Sequence, residues 1–356
     1  MRVALAGYAY GRTLHAPLIE AAGGRIVAVA TADPGRVASA RAELPDAVVV
    51  PDLTALLRVA PEVGADVVVL ATPTGRHAEH ATAVIDAGLP CVVDKPLAVD
   101  GASAAAVVAR ARAARVPLTV FQNRRYDEGP RALAALMAGG AEGPLGRVRR
   151  LEMRYERWRP EPKHRWREDT PWREGGGVLL DLGSHVVDAA TWLLGPVRSV
   201  CAEVNAWTTR ADDDAVLFCR HEGGATSQLI ASSVTAAPGP RMRVLGARAA
   251  YVYDDSDEGC SYPDLRNAPG CAGWVVAGDE RRPAPLPPGG QADFYRALAS
   301  ALSGGEGYDA RQAALPVDPA DAVHTLDVID AARVSAEQGR VVAVAGPSRP
   351  GDARIA

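Results

Sequence analysis

From residue 1 to about 120, short runs of β-branched and small apolar residues alternate with alanine-rich stretches of helical period. The runs are Arg2–Ala6, Ile26–Ala30, Ala47–Val50, Asp66–Ala71, Cys91–Val93 and Leu118–Phe121. Between them the pattern predicts helices at about 12–22, 34–43, 52–60, 76–88 and 100–115. Strands that are apolar on both faces belong to parallel sheets covered by crossover helices. The first 122 residues are therefore expected to form an α/β unit, a Rossmann-type doubly wound parallel sheet.

After Phe121 the period changes. A helix near 128–138 precedes segments of alternating character at about 147–157, 197–207, 213–220, 225–235, 242–246 and 249–253. One helix, about 177–194, falls among them, and two more follow at about 291–303 and 318–338. Strands in succession predict a mainly antiparallel sheet, and with the helices an α+β domain over 123–345. Residues 346–356 are expected to be a flexible tail, and the Pro/Gly-rich stretch Arg282–Gly290 reads as a turn or short linker.

The 356 residues, 48% hydrophobic and 23% charged, have ordinary globular composition and length for two cores. A net charge of -4, from 39 basic and 43 acidic residues mixed along the chain, gives no long-range pull toward nucleic acid or an anionic membrane. Neither is expected as a partner. The basic cluster Arg147, Arg149, Arg150, Arg154, Arg157 and Arg159 alternates with Val148, Leu151, Met153 and Tyr155, which predicts the solvent face of a strand. Five cysteines, Cys91, Cys201, Cys219, Cys260 and Cys271, contain no CxxC pair and are odd in number, so reduced thiols and a cytoplasmic location are expected. The opening apolar run is too short for a signal segment, and no run approaches the roughly 18 residues of a membrane span.

Four motifs stand where strands end. Gly7-Tyr8-Ala9-Tyr10-Gly11-Arg12 follows the first strand and opens a helix, so its backbone can approach a pyrophosphate set on the helix N-terminus. At the end of the second strand an acid would read the ribose of NAD, but Thr31 stands there. Asp33 precedes Pro34 and reads as a helix N-cap; with Arg36 nearby, NADP is favoured over NAD. Ala71, Thr72 and Pro73 end the fourth strand and are expected along the nicotinamide side of the crevice, with His77 either beside them or starting the next helix. Asp94-Lys95-Pro96 follows the fifth strand, where a lysine can polarise an alcohol oxygen if a partner group meets it.

That partner is the helix opened by Gly175-Gly176-Gly177. Asp181 and His185 lie four residues apart on one face of it, with Asp188 adjoining. Hydride transfer from an alcohol needs a proton acceptor near neutral pH, which imidazole supplies, and a carboxylate can orient the imidazole or hold a substrate hydroxyl. No third ligand at suitable spacing accompanies the pair, so no metal is expected.

Together these motifs resemble the Gfo/Idh/MocA family of oxidoreductases, in form most like its scyllo-inositol dehydrogenase-like branch. The resemblance includes His15-Ala16-Pro17-Leu18-Ile19, Thr72-Pro73 with His77, Asp94-Lys95-Pro96, Phe121-Gln122-Asn123-Arg124-Arg125-Tyr126-Asp127, Gly175 through Asp188, and the closing helix Asp318–Gly339. It implies NAD(P)-dependent oxidation of a secondary alcohol on a cyclic polyol, sugar or sugar derivative. It further implies catalytic roles for Lys95, Asp181 and His185, and substrate contacts from Arg124, Tyr126, Arg165 and Trp166. Members pair through the sheet of the second domain, which implies a homodimer or homotetramer. The chain departs from the usual form in a glycine turn one residue shorter before His15, in Ala9 for its middle glycine, and in Thr74 for an asparagine. Two other readings stay open. One is a biosynthetic reductase of a keto-sugar nucleotide or imine, with Arg157, Arg159, Arg165 and Arg167 holding a diphosphate; the other is a non-catalytic cofactor-binding sensor.

Overall fold

The structure, a computed structural model, describes residues 1–163, 165–255, 265, 267, 269–305 and 307–346. Cys260 and residues 347–356 of the expected tail lie outside the described residues. Six strands, β1 (Arg2–Ala6), β2 (Arg25–Ala30), β3 (Val48–Val50), β4 (Val67–Leu70), β5 (Cys91–Asp94) and β6 (Leu118–Phe121), form a sheet in the order β3-β2-β1-β4-β5-β6. Every pairing is parallel. The chain reverses direction across the sheet between β1 and β4, which is where an open α/β sheet leaves its ligand crevice.

The intervening helices are α1 (Ala16–Ala21), α2 (Pro34–Glu43), α3 (Leu53–Glu62), α4 (His77–Asp86) and α5 (Gly101–Ala114); all lie within two residues of the expected bounds except the start of α1, where residues 11–15 wind as a π turn. Three of them start where the sequence supplies an aspartate: Asp33, Asp52 and Asp100 accept the amides of Arg36, Ala55 and Ser103 at 2.9, 2.8 and 2.7 Å. Each such cap satisfies an amide with no intrahelical partner and contributes about 1 kcal/mol.

The second half supplies α6 (Glu128–Met137), β7 (Arg150–Glu156), α7 (Trp166–Asp169), α8 (Ser184–Leu194), β8 (Val197–Asn205), β9 (Asp214–His221) and β10 (Thr226–Ser232). It continues with β11 (Met242–Leu245), β12 (Ala250–Tyr253), β13 (Cys271–Ala277), β14 (Glu280–Pro285), α9 (Ala292–Ser303), α10 (Tyr308–Ala313), α11 (Pro319–Gln338) and β15 (Val342–Ala343). Its sheet runs β14-β13-β12-β11-β7-β10-β9-β8-β15, antiparallel except where β10 lies parallel to β7.

Residues 282–285, expected in a turn or linker, instead end strand β14, which pairs with β13. The two prolines of β14, Pro283 and Pro285, are compatible because β14 is an edge strand, where a missing N–H breaks no ladder. The two-residue turn Gly278-Asp279, with Gly278 at φ +61°, is the hairpin signal that reveals the pair.

Two elements bind the sheets together. Helix α11 is buried along most of its length and packs on both β8 and α5, with Asp330 accepting the Gly101 amide at 2.8 Å. In the turn after β6, Arg125 donates through Nε and Nη2 to Asp188 of α8, at 2.8 and 2.7 Å, and through Nη2 to Asp321 of α11 at 2.9 Å. Burial drives the Asp188 carboxyl above its ordinary range despite Arg125, so the guanidinium is what keeps this buried acid compatible with folding. Arg125→Ala is expected to cost about 3–5 kcal/mol by leaving Asp188 unpaired, measured as a shift of the urea midpoint at unchanged slope; Arg125→Ala/Asp188→Leu should recover much of it.

Candidate active site

At the end of β1 the chain turns through Gly7 at φ +96°, its amide on the Ala30 carbonyl at 3.0 Å. A Cβ on Gly7 would lie 2.4 Å from the Ala71 oxygen, so only glycine lets β1 and β4 close at this point. Tyr8, Ala9 and Tyr10 lead into a π-wound turn, Gly11–His15, that runs directly into α1. No side chain caps this helix. Its first amides therefore remain available for an anion at the switch point of the sheet, which fits the pyrophosphate of a dinucleotide. Tyr8 and Arg12 turn toward α2, where both donate to Glu43, at 3.0 and 2.8 Å. Thr31 is buried with its amide on the Val50 carbonyl, and Asp33 is occupied as the cap of α2.

His77, just past Pro73, is wholly enclosed. Its ring nitrogens lie 2.7 Å from the Pro96 carbonyl and 2.8 Å from that of Thr72, so it fastens the end of β4 to the loop after β5. Thr72 turns its hydroxyl to His80, 2.9 Å away. At the end of β5, Asp94 accepts the amide of Lys95 at 2.8 Å, and the Lys95–Pro96 peptide is cis. Burial opposes ionisation of Asp94, yet His15, Lys95 and His77 hold its carboxyl below the ordinary range.

Lys95 leaves this loop nearly buried and crosses to the second sheet's helix. Its Nζ donates to Asp181 twice, to the backbone carbonyl at 2.6 Å and to Oδ1 at 3.0 Å. Arg167 Nε stands 3.6 Å from the same Oδ1. Burial alone would raise the Asp181 carboxyl; Lys95 and Arg167 reverse that and bring it to about 2. Asp181 therefore secures the lysine and does not orient the imidazole.

His185 is enclosed on the same face, with Tyr155 5.8 Å away between ring centres and no partner on Nδ1. Burial pushes its pKa well below the ordinary histidine value, and Lys95, Arg124 and Arg157 push it the same way, so the imidazole is neutral at pH 7.

The expected single helix over 177–194 begins with a π-wound turn, Leu179–Gly183, before α8. A π turn inserts a residue and re-aims the side chains within it. Glycine is required ahead of it because a Cβ on Gly176 would fall 1.7 Å from the Thr170 oxygen, and one on Gly177 2.0 Å from Asp212 Oδ1.

These groups open on a cavity of about 230 Å³, walled by Tyr10, Lys95, Arg124, Asp181 and His185 together with Arg157, Arg159, Arg165 and Arg167. Two residues expected at the substrate stand elsewhere. Tyr126 packs edge-on against Phe294, at 6.1 Å, and Trp166 lies beneath the Arg167 guanidinium, at 4.5 Å. Arg157 and Arg159, read from the strand pattern as a solvent face and in the reductase reading as lying near the cleft, face this cavity, because residues 208–213 and the helix start at Gly177 cover the end of β7. Strand alternation carries no sign of that cover. Among the described residues no group of three His, Cys, Asp or Glu is placed to hold a metal ion.

Residues 1–122 match the family described as an oxidoreductase family with an NAD-binding Rossmann fold, and residues 133–252 match the GFO/IDH/MocA C-terminal domain. The chain belongs to the GFO/IDH/MocA oxidoreductase family. A family relative, the oxidoreductase YdgJ of Escherichia coli, is 30% identical over 97% of this chain and 99% of its own. The scyllo-inositol 2-dehydrogenase (NADP(+)) IolW of Bacillus subtilis is 27% identical over 96% of this chain and 95% of its own. Among solved structures, an oxidoreductase from Klebsiella pneumoniae superposes with a TM-score of 0.80 at 27% identity, over 99% of this chain and 97% of the other.

Because His185 binds a proton less well in the folded chain than in the unfolded one, stability is expected to fall as pH drops below about 6.5 toward its native pKa. NMR of ring-labelled histidine checks the cause: His185 should show a neutral ring at pH 6.5, and a half-protonated ring there would contradict the burial argument.

Proposed function

We propose that the chain oxidises, reversibly, a secondary alcohol on a cyclic polyol, sugar or sugar derivative, using NADP in preference to NAD. The observation that carries this reading is the meeting of Lys95, locked by Asp181, with a neutral and unpartnered His185 in one cavity at the carboxyl edge of the Rossmann sheet. The nicotinamide, when bound, supplies the acceptor that takes the hydride with both electrons of the C–H bond. His185 takes the hydroxyl proton, and the Lys95 ammonium stabilises negative charge on the oxygen as the carbonyl forms. Asp181 keeps the ammonium aimed, which removes a cost of ordering it during the reaction.

A polyol or sugar substrate is supported by the relatives' names, which include a myo-inositol dehydrogenase from Streptomyces leeuwenhoekii and the scyllo-inositol enzyme already described. NADP is supported by Thr31 at the ribose position, by the use of Asp33 as a cap, and by the half-exposed Arg36 beside it, 3.8 Å from that carboxylate. Pairing of copies through the second sheet is supported by its exposed Phe218 and Val341.

Lys95→Met and His185→Gln are each expected to lower kcat by about 10²–10⁴-fold while NADPH binding persists; full turnover in both would overturn the assignment. Nicotinamide fluorescence titration should show tighter binding of NADPH than NADH. Arg36→Ala should narrow that preference by about tenfold, about 1.4 kcal/mol, and an unchanged preference would remove Arg36 from the 2′-phosphate.

A further inference from the structure

The roles proposed for Lys95 and His185 leave one feature of the cavity unused. Arg157 and Arg159 both face it, and among the described residues neither side chain has a hydrogen bond or an ion pair. Their neighbours are differently placed: Arg124 is paired with Asp127 at 2.9 Å, and Arg167 approaches Asp181.

Among the described residues none of the cavity's acids makes a hydrogen bond or ion pair with either arginine, and most are engaged elsewhere. Asp181 holds Lys95, and Asp212 accepts the Leu179 amide at 2.7 Å. Asp213 accepts the amides of Trp207, Thr208 and Thr209 and the Thr208 hydroxyl. Glu168 accepts the Arg165 amide, Asp94 accepts that of Lys95, and Glu161 is exposed. Arg157 is thus a half-buried cation beside other cations; burial lowers its pKa, Arg159, Arg241 and Arg124 lower it further, and Asp181 opposes them only in part. Such a group, clustered with like charges and without a protein partner, gains from an anion placed between it and Arg159.

We infer that the substrate of this chain is an acidic sugar or polyol, whose carboxylate or phosphate is held by Arg157 and Arg159 while its reacting hydroxyl lies between Lys95 and His185. The inference rests on the oxidoreductase reading and names the substrate class for the same site. Guanidinium groups match both oxyanions in geometry, donating two parallel N–H bonds. The cavity, about 230 Å³, has room for a single sugar acid. The anion also serves the chemistry. His185 is flanked by Lys95 after β5, by Arg124 after β6, and by Tyr155 and Arg157 of β7 and its extension, and the three cations weaken it as a base. A negative charge on Arg157 offsets that field, so an acidic substrate strengthens the base that deprotonates it.

The test compares glucose, glucuronate and glucose 6-phosphate as substrates of the full chain with NADP⁺, beside binding of glucuronate and inorganic phosphate to the NADPH complex by calorimetry. At least one acid is expected to exceed glucose in kcat/KM by about tenfold or more, and Arg157→Gln or Arg159→Gln should reduce that preference by about tenfold. Which acid prevails distinguishes carboxylate from phosphate. Equal or greater kcat/KM for glucose, or a preference unaltered in both variants, overturns the inference. If none of the three is oxidised, binding decides alone, and the function proposed above is judged separately on cyclic polyols. Calorimetric binding of either anion that both variants weaken then supports the arginine site, and its absence overturns it.

Discussion

The Lys95–Asp181 ion pair is the contact on which the site depends, because it carries a nearly buried ammonium from the edge of one sheet to the helix of the other. Removing a charge from water costs several kcal/mol unless its hydrogen bonds are replaced. Here Asp181 offers both its carboxylate and its backbone carbonyl. Both oxygens can face the lysine only because the helix begins with a π-wound turn, and the chain reaches that turn only through glycines that let it pass close to Thr170 and Asp212. His77, by joining the loops after β4 and β5, fixes the other end of the same span.

The division of charge within the cavity follows from this pairing. Once Asp181 is committed to Lys95, no acid remains to orient His185, whose Nδ1 stays unpartnered. The imidazole is held by enclosure and by the ring of Tyr155, and its proton affinity is lowered first by burial and then by the cations around it. A second buried pair, Arg125 with Asp188, performs the corresponding structural task about two turns further along, in α8. Residues on a single helix thus serve two ends: Asp181 and His185 face the cavity, while Asp188 anchors the helix to the turn after β6 and, through Arg125, to α11.

Much of this was legible in the chain itself. The alternation of apolar runs and alanine-rich stretches announces the parallel sheet, Asp33 before Pro34 announces a capped helix, and a lysine after β5 with an Asp/His pair four residues apart picks out three groups that line the cavity. Those signals are local: periodicity, caps and turn residues act over a few positions. The hairpin of β13 and β14 was legible too, in Gly278-Asp279, but its proline-bearing edge strand reads as a linker when taken alone.

What the sequence by itself determined is the family, the two kinds of sheet, and the identity of the groups at the crevice, because each is written in spacing along the chain. Only the tertiary structure decided which of those groups meet. It paired Asp181 with Lys95 in place of His185, turned Tyr126 to Phe294 and Trp166 to Arg167, and set Arg157 and Arg159 at the cavity where the strand pattern alone gives a solvent face. The physical reason is that burial is a property of what folds over a residue, and here the cover comes from segments some twenty to fifty positions away, whose approach no local period records.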